Sequence, residues 1–277
     1  MRNINEEYRI LTSEILNSGV PKDDRTGVGT LSKFGYTLVH DMELGFPLLH
    51  IKKVSFKAAK VELMWILQGR TDLKYLEDNG VRYWRPDYER SGRTDGTLGP
   101  VYGKQWRDFN GIDQIYDLSL QLHNNPDSRR MVVSAWNPAD MKDMALPPCH
   151  YGFQCYVNDR KLDLMWQQRS VDVFLGLPYD IAMYGLLLEL LAKGHNLKPG
   201  RLIGQLGDCH IYNNHIDQAK TVMYRNPDVY HCPVLQLDTI GVCINSQNEI
   251  NIPSLDSMIL HGYEHMGEIK APLNVGN

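Results

Sequence analysis

The spacing of apolar residues predicts four helices along this chain. An apolar position recurs every three or four residues in 4–17, 55–69, 112–123 and 178–193. Ser55 is a suitable N-cap for the second segment, and Gly194 is a natural stop after the fourth. The fourth segment is apolar on all sides, so we expect it to be the central buried helix.

Alternating apolar and polar positions predict strands in residues 31–40, 131–136, 151–157 and 162–168. The last two flank the polar residues 158–161, which predicts a hairpin. After Gly194 we expect mostly strands to the C-terminus. Residues 70–111 are polar and rich in glycine and aromatic residues, which indicates a folded functional excursion. Antiparallel strands with segregated helices predict one α+β domain spanning residues 1–277.

Composition narrows the function classes. The 277 residues include 29 Lys and Arg against 33 Asp and Glu, so this balance excludes a polybasic coat and argues against an obligatory nucleic-acid partner. The longest apolar stretch, residues 181–191, is too short to cross a bilayer. We expect a cytoplasmic protein, because the N-terminus has no apolar signal segment and the five cysteines are odd in number and widely spaced.

Cys149 is the clearest candidate nucleophile. Pro147 and Pro148 constrain the approach to it, His150 follows it, and Arg169 is a plausible cation to lower the pKa of its thiol. A structural cysteine remains the alternative reading. The arginines that accompany turn residues favour an anionic small ligand: Arg25, Arg129, Arg130 and Arg169.

Glu62 lies within an apolar helical stripe, where a carboxylate needs a partner or a raised pKa. It is either a proton carrier or half of a structural ion pair. Three Cys-His neighbours occur, but adjacent residues in an extended chain point to opposite faces. We therefore expect no metal site.

Several longer motifs resemble the thymidylate synthase family, and they occur in one order from about residue 5 to 272. The most specific are the nucleophile loop 146–150 and the segment Gln168–Pro178. The others are residues 24–27, 98–107, 126–130, 208–215 and 269–272. The resemblance implies a twisted, mixed six-stranded sheet with helices, paired back to back in a homodimer.

The resemblance also implies roles for individual residues. Cys149 would add to pyrimidine C6, with Glu62, Tyr102, Asp172 and Asp180 as the other catalytic residues. The nucleotide would be held by Arg25, Gln168, Arg169, Ser170, Asp180, His210 and Tyr212, with Arg129 and Arg130 supplied by the partner subunit. The co-substrate, 5,10-methylenetetrahydrofolate, would contact Lys52, Trp84, Asp172, Gly176 and Ala271.

Position 180 departs from the family pattern. Family members that act on uracil carry Asn there, and its amide can accept from uracil N3–H and donate to O4. Cytosine has the opposite pattern, because its N3 accepts a hydrogen bond and its 4-amino group donates one. A protonated Asp180 could donate to N3 and accept from the 4-amino group, and an ionised Asp180 could pair with an N3-protonated ring. Among family members, Asp here resembles the deoxycytidylate hydroxymethylases and methylases, so dCMP is the expected substrate. A dUMP synthase is the alternative, and a non-catalytic nucleotide- or RNA-binding regulator is a remote one.

Two further departures concern the fate of the transferred carbon. Asp87 replaces a second Trp of many bacterial relatives, and the ending Ala271–Asn277 is longer than usual. A looser, wetter closure would favour water over hydride as the final acceptor, which slightly favours a 5-hydroxymethyl over a 5-methyl product. Such nucleotides suit a phage that makes modified DNA, in which case the host cytoplasm is the expected compartment.

Overall fold

A six-stranded mixed sheet with helices packed on one face forms the body of the protein. The structure is a computed structural model, and it describes residues 3–226 and 230–275. The helices are α1 Ile4–Ser18, α2 Phe56–Leu67, α3 Leu73–Asp78, α4 Arg85–Arg90, α5 Tyr102–Arg107, α6 Gln114–Asn124, α7 Leu177–Gly194 and α8 Ile216–Tyr224. The strands are β1 Val20–Lys22, β2 Thr30–Asp41, β3 Val132–Ser134, β4 His150–Asn158, β5 Lys161–Asp172, β6 Lys198–Tyr212, β7 Val234–Leu237 and β8 Met258–His261.

The sheet order is β1-β2-β6-β5-β4-β3, and all neighbours are antiparallel except β5 and β6. Helix α7 connects these two parallel strands, as a parallel pair requires a crossover. Strands β7 and β8 form a separate antiparallel pair. The expected α+β class and the six-stranded sheet are confirmed.

Local sequence signals account for several element boundaries. The Ser55 side chain accepts a hydrogen bond from the backbone N–H of Ala58, so the predicted N-cap of α2 is confirmed. The predicted hairpin is also confirmed, because Asp159 and Arg160 both have positive φ between β4 and β5. That conformation matches the twist of a two-residue hairpin turn.

The sheet has one covered and one open face. On the covered face, the row Val133, Phe153, Trp166, Gly204 and Leu38 is buried, and Tyr184 of α7 stacks on Trp166 with ring centroids 5.3 Å apart. Helix α7 lies almost wholly in the core, as its apolar sequence predicts.

The expectation of mostly strands after Gly194 is wrong for the segment after β6. Helix α8 occupies Ile216–Tyr224, with Ala219 and Val222 buried. Apolar residues three apart, with polar residues between them, fit a helix packed on α1 better than a strand. Residues 70–111 do form a folded excursion, because they contain α3, α4 and α5 and bury Trp84 and Trp106.

Candidate active site

The candidate nucleophile, Cys149, lies directly before β4 and is held by its backbone. Its N–H donates to the Tyr102 hydroxyl at 2.9 Å, and its carbonyl accepts from the N–H of Arg169 at 2.9 Å. The guanidinium group of Arg169 donates to the carbonyls of Pro148 and Pro147 at 2.9 and 3.0 Å. Arg169 therefore both orders the proline loop and places a cation beside the thiol.

The half-buried thiol of Cys149 is neutral in this environment. Burial raises its pKa to about 11, and the charges of Asp180 and Asp87 act in the same direction. Arg169 and Arg25 oppose the increase. Since a thiolate is the reactive form, the thiol has to lose its proton during the reaction.

Asp180 projects from the first turn of α7 and is oriented by the buried Gln168 of β5. The Trp166 indole donates to the Gln168 Oε1 at 3.1 Å, so the Gln168 amide nitrogen faces Asp180 and donates to its Oδ2 at 2.8 Å. Burial raises the pKa of Asp180 to about 7, and the charges of Glu62 and Asp172 add to this effect. Asp180 can therefore hold or release a proton near neutral pH.

Glu62 is buried in α2 with both of its carboxylate oxygens bonded. Tyr83 donates from its hydroxyl to Oε2 at 2.7 Å, and the Trp84 indole donates to Oε1 at 2.6 Å. Burial raises the pKa of Glu62, whereas these two donors lower it. No sequence signal distinguishes Tyr83, so its contact with Glu62 emerges only from the structure.

His150 was not among the predicted site residues, although it follows Cys149 in sequence. Its ring stacks on Tyr102 with centroids 4.2 Å apart, and its Nδ1 is 2.8 Å from the Tyr184 hydroxyl. Burial lowers the pKa of His150 to about 3, so the ring is neutral. It supports the two tyrosines beside the nucleophile without adding a charge.

The neighbouring ends of β2, β5 and β6 gather the predicted phosphate and sugar residues. Ser170 is paired with Asp208, Asp172 with His210, and Thr30 with Tyr212. His210 Nδ1 lies 3.5 Å from a carboxylate oxygen of Asp208, and the hydrogen bond from His210 is the largest of the contacts that lower the pKa of Asp208. Arg25 is exposed on the turn before β2, and its charge reaches both Cys149 and Tyr212.

Arg129 and Arg130 lie apart from this cluster. Both are exposed on the turn between α6 and β3, at the edge of the sheet. Arg130 borders a shallow groove beside Gln114, Asp117 and Val132. The structure therefore places both arginines at the β3 edge of the sheet.

Three of the predicted folate residues, Lys52, Asp172 and Gly176, lie where β5 leads into α7. Lys52 donates to the carbonyl of Phe174 at 2.5 Å, and burial lowers the pKa of Lys52 to about 8. Asp172 Oδ1 accepts from the N–H groups of Phe174 and Leu175, both at 3.0 Å. A side chain at Gly176 would put its Cβ 3.2 Å from the backbone carbonyl oxygen of Asp172, so glycine avoids a tight contact at this turn.

The described part of the C-terminal segment packs beside this region. The Pro272 carbonyl is 2.7 Å from His215 Nε2, and Asn274 exchanges side-chain hydrogen bonds with Asn214. Ala271 is half-buried against the core. Gly276 and Asn277, which complete the long ending noted in the sequence, lie outside the described residues.

No cluster of three or more His, Cys, Asp or Glu side chains in residues 3–226 and 230–275 could hold a metal ion. In those same residues, no helix is long and apolar enough to span a membrane. A groove of about 660 Å³ lies elsewhere, between α2 and β8, and contains none of the predicted site residues.

Comparison with known protein families matches residues 6–275 to the family described as thymidylate synthase. The match includes every predicted site residue and all of the described elements from α2 to β8. It is therefore a match to the whole fold and not to an isolated motif.

Proposed function

The chain belongs to the thymidylate synthase family, and on that basis we propose that it transfers a one-carbon unit from 5,10-methylenetetrahydrofolate to C5 of dCMP. The observation that carries the choice of base is Asp180, a carboxyl group with a pKa of about 7. We propose, from the resemblance to the family, that this position reads the pyrimidine edge. Family membership supports a folate-dependent transferase acting on a nucleotide. The cytosine assignment is the more specific part of the proposal.

Cytosine needs what Asp180 can supply. Attack of the Cys149 sulfur on C6 pushes electron density toward N3, which carries a lone pair in cytosine and a proton in uracil. A carboxyl group that titrates near neutral pH can lend its proton to N3 and accept from the 4-amino group. An Asn amide can form hydrogen bonds but cannot transfer a proton.

In the proposed reaction, the Cys149 thiol loses its proton and its sulfur bonds to C6, while N3 takes a proton from Asp180. C5 then bonds to the methylene carbon that the folate supplies, as one of the two carbon–nitrogen bonds of that carbon breaks. Loss of the C5 proton and cleavage of the second carbon–nitrogen bond leave an exocyclic methylene group on the pyrimidine and release tetrahydrofolate. Glu62, bonded to Tyr83, and Tyr102, bonded to the Cys149 N–H, are the proposed groups for moving protons through ordered water.

Asp172 is the proposed anchor for the folate ring system. Both backbone donors described above bond to its Oδ1, so Oδ2 is the oxygen that we propose for the ligand. Trp84 lies between Trp65 and Tyr102, with centroids 6.2 and 6.1 Å away, and offers a flat apolar surface. These residues fit a planar ring that carries N–H donors.

We propose that water is the final acceptor. Its oxygen bonds to the exocyclic methylene carbon, the bond between C6 and the Cys149 sulfur breaks, N3 returns its proton to Asp180, and 5-hydroxymethyl-dCMP is released. Asp87, 9% exposed, forms an ion pair with Arg90 at 2.7 Å, and its charge reaches Cys149. A charged pair at this position keeps water near the exocyclic methylene group, whereas a Trp would exclude it. A nucleotide of this kind suits a phage with modified DNA.

We further propose a homodimer formed by the open sheet face. The row Val132, Gln154, Met165, Ile203 and Val39 crosses this face, and four of its five members are apolar. Val132 is 52% exposed although it lies in the sheet. Pairing of two such faces would bury the row and bring Arg129 and Arg130 toward the partner's nucleotide site.

A dUMP synthase is the second candidate, because a neutral Asp180 could also accept from N3–H and donate to O4. The Asp180→Asn variant separates the two readings. If the protein reads cytosine, the ratio of kcat/KM for dCMP to that for dUMP should fall at least tenfold, which corresponds to about 1.4 kcal/mol. Asp87→Asn removes a nearby charge without touching the base edge, so it should leave the ratio unchanged. The same base preference in wild type and Asp180→Asn would overturn the cytosine assignment.

A further inference from the structure

Among the residues that the structure describes, Tyr83 has a contact that no other residue outside the predicted site has. Its side chain donates a hydrogen bond to the carboxylate of a predicted catalytic residue. Its hydroxyl is 2.7 Å from Glu62 Oε2. Burial and the charge of Glu62 raise the pKa of Tyr83 well above its usual value, so this hydroxyl stays protonated and remains a donor. Together with the Trp84 indole, it gives a donor to each oxygen of Glu62.

Tyr83 also lies near the half-buried carboxyl group of Asp180. Its ring centroid is 6.0 Å from that of Tyr179, the residue before Asp180, and the charge of Asp180 reaches Tyr83. The charge of Glu62 raises the pKa of Asp180, so an ionised Glu62 favours the protonated form of Asp180. Hydrogen-bond donors that act on Glu62 therefore also affect whether Asp180 keeps its proton.

We propose that Tyr83 is a positioning residue that decides which carboxyl group of this pair carries the proton: by donating to Glu62, it holds Glu62 ionised and leaves the proton on Asp180. This inference rests on the proposed function, in which Asp180 lends that proton to cytosine N3. An ionised Glu62 has a further effect in the same direction, since its negative charge disfavours a second charge on Asp180.

The other groups around the pair do not produce this asymmetry. Burial raises the pKa values of Cys149, Tyr102, Tyr179 and Tyr184, so these groups are neutral near pH 7. Asp172 is a further carboxylate, and its charge also raises the pKa of Asp180. Gln168 acts in the opposite sense, because its donation to Asp180 stabilises the ionised form. Glu62 accepts from two side-chain donors, Tyr83 and Trp84, whereas Asp180 accepts from Gln168.

Tyr83→Phe tests the proposal because it removes the hydroxyl and keeps the ring. A hydrogen bond to a charged group corresponds to about one to two units of pKa, so the proton should move from Asp180 toward Glu62 by roughly tenfold or more in the ratio of the two protonated forms. Tyr179→Phe is the matched control, because it removes a neighbouring hydroxyl that interacts with the Ser55 backbone.

The first measurement is a pH titration of the carboxyl carbons by NMR in the full-length protein without nucleotide. Labelled Glu and Asp are assigned by comparison with Glu62→Gln and Asp180→Asn. The pKa of Glu62 should rise by about one or more in Tyr83→Phe and stay unchanged in Tyr179→Phe. An unchanged Glu62 in Tyr83→Phe would overturn the proposal, and this result does not depend on which pyrimidine the enzyme uses.

The second measurement is the pH profile of kcat/KM for dCMP. Near pH 6–7, Tyr83→Phe should lower kcat/KM by roughly two- to tenfold, because less of the enzyme carries its proton on Asp180. Tyr179→Phe should keep the wild-type profile. If the proton moves to Glu62 in Tyr83→Phe and kcat/KM for dCMP stays unchanged, the proposed role of Tyr83 is overturned. The base preference of Asp180→Asn tests the proposed function separately.

Discussion

Asp180→Asn should stabilise the folded protein, and more at pH 8 than at pH 5. The folded structure raises the pKa of Asp180 from 3.8 to about 7, mainly through burial. A carboxyl group with a raised pKa binds its proton more tightly when folded, so it destabilises the protein as pH rises from the unfolded to the folded pKa. Asn has nearly the same shape, can still accept from Gln168, and never ionises.

The size of the effect follows from the position of the folded pKa. At pH 5 the unfolded Asp180 is largely ionised and the folded one is protonated, and by pH 8 both are ionised. Between these values the cost of ionising the folded group grows over two pH units, at about 1.36 kcal/mol per unit. The gain from Asp180→Asn should therefore be about 2.7 kcal/mol larger at pH 8 than at pH 5.

Urea unfolding of wild type and Asp180→Asn at pH 5 and pH 8 gives this difference directly. Asp208→Asn is the control, because it makes the same chemical change at a carboxylate whose pKa the structure lowers through His210, Ser32 and Lys22. That variant should lose stability at both pH values. A gain for Asp180→Asn that is equal at pH 5 and pH 8 would refute the reasoning, since it would mean that Asp180 is not protonated in the folded protein near neutral pH.

Three other predictions test the nucleophile, the assembly and the core. Arg169→Gln should slow the alkylation of Cys149 by iodoacetamide at pH 8, because loss of this cation raises the pKa of the thiol further. Cys149→Ala gives the background rate, and an unchanged rate in Arg169→Gln would show that Arg169 does not lower the pKa of the thiol. Cys149→Ala and Arg130→Ala should each be inactive alone but regain activity when they are mixed and refolded. In the mixed dimer, one site has Cys149 from one subunit and Arg130 from the other and is therefore complete. No recovery would contradict the sharing of Arg130 between subunits. Gly204→Val should lower the free energy of unfolding in urea by about 1–3 kcal/mol, because even a Cβ at this position would lie 2.6 Å from the Trp166 ring. An unchanged free energy of unfolding would show that the ring can move aside.

Features that depend on a few neighbouring residues could be predicted from the sequence. The Ser55 cap needs only a hydroxyl three residues before a free N–H, and the hairpin at Asp159 and Arg160 needs only residues that tolerate positive φ. The apolar surface of α7 predicted its burial for the same reason. The motifs that resemble the thymidylate synthase family could be recognised because the residues of each motif are consecutive in the chain and the motifs occur in one order.

Features that depend on contacts distant in sequence were decided by the tertiary structure. The parallel pairing of β5 with β6 aligns Asp172 with His210, and nothing in either segment alone specifies that register. The distance between Tyr83 and Glu62 arises from the packing of the excursion on α2. The sequence identifies Asp180 as a carboxyl group, but its proton near neutral pH depends on burial and on neighbouring charges. The free energy of ionising a side chain depends on the dielectric environment and the charges around it, and only the folded chain assembles those.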